Sequence, residues 1–300
     1  MKPLSPKLFA VAAALFSLAV APCAYATALA ARPSAPVWTR GQWILDPGGE
    51  PGVLWISLRG AGPGKSRPWH SATVRLDRLV GLAGSDLAPG AHHVSFSLRR
   101  DAGTFTCHGE IDGETGAGTF ELTLDPAFGR ELAARGIDAP TEAEQARLAI
   151  ADLGLAFLDE LRAQRYPVPR VTALFAMADH GVDLEYLQGL GALGYRLGTL
   201  ADLIRAREHG VDPAYIRGLE AAGYHHVPLE ELLRARDHGV DAGYISGMAS
   251  AGFKGVALTR LVAARDHGVD PAFARRMRAK RGDVSLEQVI ALHDRGGGNQ

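Results

Sequence analysis

Four histidines recur at one fixed interval, His180, His209, His238 and His267, each in the motif HGVD. Imidazole is a metal ligand and a group that titrates near neutral pH. A zinc site needs donors converging at about 2.0–2.1 Å from one ion. Equivalent residues on stacked helices sit about 8–10 Å apart and point the same way, so these four form a row that does not converge. A histidine in the last turn of a helix instead faces the negative end of the helix dipole. Structural capping is therefore expected, and a ladder of protonatable groups is the chemistry left over. Arg207, Arg236 and Arg265 recur beside the histidines as a second ladder, expected to pair with nearby Asp and Glu. Arg275, Arg276, Arg278, Lys280 and Arg281 make a local basic run. It reads as a solvated capping helix, with contact to anionic lipid headgroups, an acidic glycan or an acidic partner as the alternative. These side chains together are the candidate interaction surface.

Other chemistry-bearing types do not assemble into a motif. GAGPGKS at 60–66 imitates a phosphate-binding loop, which needs G-x-x-x-x-G-K-[ST] between a strand and a helix. Gly60 is one residue too close and Pro68 opposes a following helix, so an inter-strand loop is expected. His92-His93 and His225-His226 read as loop pairs. His70, Ser71 and His108 belong to no recognisable triad, and no G-x-S-x-G occurs. No catalytic, cofactor-binding or metal-ligating residue is assigned, and the expectation is a non-enzyme without a cofactor. Acid–base catalysis by residues distant in sequence stays open. Trp38, Trp43, Trp55 and Trp69 all fall early in the chain. Ordinary core and surface packing is expected of them, with stacking on sugars as the alternative. Of the two cysteines, Cys107 reads as a small buried hydrophobe in a strand; bridging or reactivity is the other reading.

The repeats must be positioned by helices. AREHGVDPAYIRGLEAAGY at 206–224 aligns with ARDHGVDAGYISGMASAGF at 235–253 and AARDHGVDPAFARRMRAKRG at 263–282. Leu200, Leu203 and Ile204 follow helical spacing. That helix ends at His209, with Gly210 as a left-handed cap. Asp212 is the next N-cap and Pro213 takes the first helical position. Tyr215, Leu219 and Ala222 give the face of the second helix, which Gly223 ends. Such helices are too short to stand alone in water, and stacked copies would bury each other's faces. The array is expected to begin at Asp125, where DPAFGRELAARGI aligns with 212–224. Thr141 and Glu144 form a capping box followed by a helical pattern to Arg165. Within it DLGLAFL at 152–158 reads as a worn copy lacking two residues. SLEQVIALHDRGG at 285–297 reads as a last half-unit.

This pattern, carried most fully by Arg207 to Tyr224, resembles a tandem helical repeat of bacterial envelope proteins. It also resembles the C-terminal extensions of some BlaR1-like M56 membrane proteins. The resemblance covers roughly 125–296 and implies an accessory or interaction module with no reaction of its own. The H-E-x-x-H that the M56 peptidase requires is absent here, so that activity is not carried over.

Residues 37–124 alternate instead. Leu54, Ile56 and Leu58, then Val94, Phe96 and Leu98, then Phe120, Leu122 and Leu124 follow period two, which marks antiparallel strands. RDAG at 100–103 and DGETGAG at 112–118 read as hairpin turns, and Leu76 to Leu82 as a short helical connector. A sheet or sandwich of about five to seven strands is expected. Its last strand should run through Leu124 into the Asp125-capped helix, joining the two parts rigidly. The fold class is α+β: a small antiparallel β domain, then an α-solenoid of two-helix repeats over 125–296, with a tail at 297–300.

The chain has 300 residues, 47% hydrophobic and 22% charged, with a net charge of −1. That is a globular composition, and it disfavours a nucleic-acid binder relying on bulk electrostatics. Lys2 and Lys7, the apolar run Leu8 to Val20 and Ala24-Tyr25-Ala26 make the three parts of a secretory signal over 1–26, followed by a linker at 27–36. Retention as an N-terminal membrane anchor and lipidation at Cys23 are the alternatives. The mature chain is expected not to span a membrane. A non-enzymatic secreted or periplasmic scaffold or adaptor, binding another envelope protein through the repeats, is the leading expectation. A carbohydrate binder or enzyme with its site in the β part is one alternative, and a structural spacer or oligomerisation module is another.

Overall fold

The computed structural model describes residues 39–61 and 69–296. The expected signal, the linker, Cys23, Trp38, most of the GAGPGKS loop and the tail lie outside the described residues.

Alternation of apolar and polar side chains builds one seven-stranded antiparallel sheet. Its strands are β1 (Arg40–Pro47), β2 (Val53–Gly60), β3 (Trp69–Arg75), β4 (Leu79–Val80), β5 (Ala91–Arg100), β6 (Gly103–Asp112) and β7 (Thr115–Leu124). The order is β3-β2-β1-β7-β6-β5-β4. The two edges, β3 and β4, are joined by only Leu76–Arg78, so the sheet must curl until its edges approach. Those three residues form a 3-10 turn, but Leu79 and Val80 pair with Leu98 and Ser97. The helical connector expected over 76–82 is therefore half turn and half strand. The second hairpin turn is also shorter than its glycines suggested, because Thr115 to Gly118 already pair within β7.

The inside of the curl is apolar. Trp43 and Phe96 meet edge to face at 5.1 Å, as do Phe105 and Phe120. The buried Trp43 indole donates to the carbonyls of His108 and Thr119. Gly109 and Gly118 face each other across β6 and β7. A Cβ on either would come within 2.6 or 2.8 Å of that indole, so both glycines make room for it. Cys107 is buried in the same core, and burial pushes its thiol up to about 12. The thiolate is the reactive form, so Cys107 packs as a hydrophobe.

Twelve helices follow among the described residues: α1 (Phe128–Ala134), α2 (Glu142–Ala151), α3 (Leu155–Ala163), α4 (Val171–Asp179), α5 (Leu184–Ala192), α6 (Leu200–Glu208), α7 (Pro213–Ala221), α8 (Leu229–Asp237), α9 (Ala242–Ser250), α10 (Leu258–Asp266), α11 (Pro271–Arg281) and α12 (Leu286–Gly296). The chain is thus α+β. HGVD acts locally as its residue types require. Gly210 has φ of +70°, the Val211 N–H donates to the Ala206 carbonyl at 2.8 Å, and Asp212 accepts from the Tyr215 N–H at 2.7 Å. Asp183, Asp241 and Asp270 cap α5, α9 and α11 in the same way.

Two boundaries differ from expectation. The pattern from Thr141 to Arg165 is two helices, broken at Asp152, which takes φ of +55°. Asp152 stands one full repeat before Gly181 and does the same job, and Leu153 N–H returns to the Leu148 carbonyl. Nothing is missing from this copy, so the repeat register runs unbroken from Asp152 through Gly181, Gly210 and Gly239 to Gly268. Asp125 is not the N-cap of α1. Ala127 holds that position, while the Asp125 carboxylate accepts from the Ala127 N–H at 2.7 Å.

Packing follows the period: α3 lies on α5, α5 on α7, α7 on α9 and α9 on α11, while α2 lies on α4 and α4 on α6. Tyr186, Tyr215 and Tyr244 hydroxyls donate to the carbonyls of Val211, Val240 and Val269, all at 2.9–3.0 Å. Each bond joins one repeat unit to the next. No helix among the described residues is long and apolar enough to cross a membrane.

Candidate functional site

The helical part meets the sheet at α2. This helix touches β2, β3, β6 and β7, so it lies across the curl. Gln145, a buried polar side chain on α2, donates to the carbonyls of Ala102 and Asp125 at 2.8 and 2.7 Å. It thereby ties the β5–β6 turn and the end of β7 to the first long helix. Burying an amide needs such partners.

Arg100, the last residue of β5, completes the junction. Its side chain is only 6% exposed. Nη1 donates to the carbonyls of Ala149 and Ile150, both at 2.7 Å. These are C-terminal acceptors of α2, where a cation is favoured. Nε lies 3.2 Å from the Asp152 carboxylate but off the N–H direction, so that contact is ionic without being a hydrogen bond. The guanidinium also sits 5.5 Å from the centre of the Phe105 ring. Next to it, Asp101 in the β5–β6 turn accepts the Leu155 N–H at 2.6 Å.

Beside this junction a cleft of about 1760 Å³ opens between the sheet and helices α2 to α6. Trp55, Trp69, His70, Ser71 and Thr73 line the sheet side. Asp179, Gly181, Asp183 and Arg207 line the helical side. Burial, and then the Arg100 cation, hold the His70 imidazole below its ordinary pKa of 6.5, against opposing Asp152 and Asp183. His70 is therefore neutral at pH 7. Several cleft charges are committed: Arg147 pairs with Asp179 at 2.6 Å, Asp183 caps α5, and Arg207 donates to the Gly181 carbonyl at 2.9 Å. No group of three or more His, Cys, Asp or Glu able to hold a metal ion occurs among the described residues.

The recurrent histidines and arginines sit at the joints between units. His180 reaches Glu208 at 2.9 Å, His209 reaches Asp237 at 2.6 Å, His238 reaches Asp266, and His267 reaches Asp294 at 3.0 Å. Each imidazole thus meets a carboxylate of the following unit. The arginine ladder does not pair with acids as expected. Arg207, Arg236 and Arg265 lie 5.1, 5.1 and 4.9 Å from the ring centres of Tyr186, Tyr215 and Tyr244. Arg207 and Arg236 also donate to the Gly181 and Gly210 carbonyls. The nearby carboxylates are engaged by the histidines, and the tyrosine rings offer the guanidinium a flat π face.

The basic run divides. Arg278 donates to the Gly252 carbonyl, pairs with Asp283 and covers Phe253, while Arg276 covers Phe273. Arg275, Lys280 and Arg281 are exposed and make no ion pair among the described residues. His92 and His93 lie in β5 and not in a loop, with His93 3.3 Å from Glu110. His225 and His226 do lie in a connection, between α7 and α8, and His108 lies in β6.

Sequence reasoning missed Arg100, Asp101, Gln145 and Asp152. One signal was available: Gly154 stands where every later unit has the capping Asp. Comparison of the chain with protein-family models, with curated proteins and with solved structures returns no match.

Proposed function

We propose that the protein is a non-enzymatic scaffold or adaptor of the bacterial cell envelope. In this reading the helical part is a solenoid of two-helix repeats that presents one rigid surface to another envelope protein. The observation that carries it is the recurrence of the same joint. At each successive repeat a tyrosine hydroxyl bonds a valine carbonyl, an arginine covers that tyrosine, and a histidine meets an acid. Identical joints give a constant rotation per unit, and constant rotation gives an extended binding surface. The three-part signal pattern at 1–26 supports export to the periplasm or beyond. Arg275, Lys280 and Arg281 are exposed cations in α11 that make no ion pair among the described residues, suited to an acidic partner face.

The test is cross-linking of the full-length chain in intact envelopes, beside a variant carrying Arg275→Glu, Lys280→Glu and Arg281→Glu. A discrete protein cross-linked by the parent and lost in the variant is the expected result. Cross-links only between copies of the chain would favour the oligomerisation module, and none at all would overturn the adaptor reading.

A further inference from the structure

Five large apolar side chains are exposed among the described residues, and three of them share one face of the sheet: Ile44 at 49%, Trp55 at 42% and Trp69 at 66%. Strand pairing fixes their arrangement. In one row across β1, β2 and β3, Trp55 stands between Asp46 and Thr73. In the next, Ile44 is followed by Ser57 and Ser71. In the third, Arg59 stands beside Trp69. All of these point away from the core, because Leu54, Ile56 and Leu58 fill the opposite face of β2.

The two indoles are four residues apart along the strands and one strand over, a separation of about 14 Å from ordinary sheet spacings. Between them lie Ser57 and Ser71, whose hydroxyl oxygens are 2.6 Å apart. Trp55, Trp69, Ser71 and Thr73 also line the cleft of about 1760 Å³. Asp46 and Arg59 are exposed and make no ion pair among the described residues.

This is a face of alternating aromatic and hydrogen-bonding sites. A protein partner anchors on contiguous apolar side chains in a desolvated centre, and here hydroxyls separate the two indoles. A sugar ring needs the opposite arrangement: a flat aromatic surface for its C–H face, with donors and acceptors for its hydroxyl edge. Of the exposed charges on this face, Arg40 is paired with Glu121 and Arg75 with Asp77. The remaining Asp46 and Arg59 balance each other, which fits an uncharged chain. We propose that the outer face of β1–β3 binds an uncharged oligosaccharide laid from Trp55 to Trp69 across the serine pair. This site is independent of the surface assigned to a protein partner.

Saturation-transfer NMR and calorimetry on the full chain test it, with cellohexaose and chitohexaose as neutral probes and a hexagalacturonate as the acidic one. At least one neutral hexasaccharide should bind at millimolar concentration. Trp55→Ala and Trp69→Ala should each weaken it about tenfold, while Val168→Ala, an exposed apolar site elsewhere, should leave it unchanged. Trp69→Ala should leave the urea midpoint near the parent value. Trp55→Ala should lower it, because more than half of that side chain is buried. A single cooperative transition in each shows that the variants fold. Binding of neither neutral sugar, equal binding by the double variant, or binding of the hexagalacturonate alone would overturn the proposal. So would self-association of the parent that disappears in the double variant, since the face would then be an interface between copies.

Discussion

Asp101 accepts the backbone N–H of Leu155 at 2.6 Å, so the first turn of α3 is capped by a turn of the sheet. In every later unit the corresponding helix carries its own aspartate. Here the local residue is Gly154, and a Cβ there would lie 2.4 Å from the Asp101 carboxylate. Asp101→Ala should cost about 1 kcal/mol, the usual worth of an N-cap. Gly154→Asp alone should also destabilise, by steric and charge conflict with Asp101. The double change should recover most of the loss, because the helix regains a cap in the position used by the other units. Urea unfolding of the four proteins measures the cycle.

Arg100→Met should be among the most damaging single changes in the chain. It leaves two helix-terminal carbonyls and the Asp152 carboxylate without their cation. The expected loss is about 2–3 kcal/mol, from the helix-terminal carbonyls left without a donor, since the Asp152 side chain is 54% exposed and keeps its water. Adding Asp152→Asn should return part of it. An equal effect of Asp152→Asn in the parent and in the Arg100→Met background, by chemical denaturation, would show that the two residues are not coupled.

His70 gives a pH dependence of known sign. Burial and Arg100 hold the folded imidazole below 6.5, so the unfolded chain takes up the proton first as pH falls. The contribution to stability is therefore present above 6.5 and is lost as pH drops through the lower folded value. His70→Phe should remove this component. The difference in unfolding free energy between parent and variant should shrink or reverse on going from neutral to mildly acidic pH. A difference that stays flat would place the imidazole in solvent.

The joints between units should depend on tyrosines more than on histidines. Tyr215→Phe leaves the Val240 carbonyl without its buried donor, at a cost of about 1–2 kcal/mol. His209→Ala removes a partly exposed contact to Asp237, worth about 0–1 kcal/mol. Thermal and urea unfolding of both variants should rank them in that order.

The helical joints were legible because their punctuation is local. HGVD names its own cap, its own left-handed glycine and its own N-cap, so Gly210 and Asp212 could be placed without any tertiary knowledge. The alternation in β5 and β7 likewise carried the sheet. What escaped was non-local. Nothing near Arg100 in sequence says that it ends against α2, which the chain reaches only after two more strands and a helix. Asp152 replaces a glycine in a left-handed position, and that substitution makes a copy in full register read as one lacking two residues. The arginine ladder was assigned acids because charge is visible in a sequence and a tyrosine face one unit away is not. The tryptophans read as one group, although strand register sends Trp43 inward and Trp55 outward.

The unbroken repeat register has a consequence for how such a chain can change length. The sheet touches the helical part at α2 and through Asp101 at the start of α3, and every joint beyond that is made between neighbours of one kind. A duplication or loss of one whole unit within α6 to α9 would recreate the same tyrosine, arginine and histidine contacts at the new seam. The docking to the sheet would not register the change. In the solenoid reading proposed above, reach is set by copy number, and it can be altered in steps of one unit without redesigning either end.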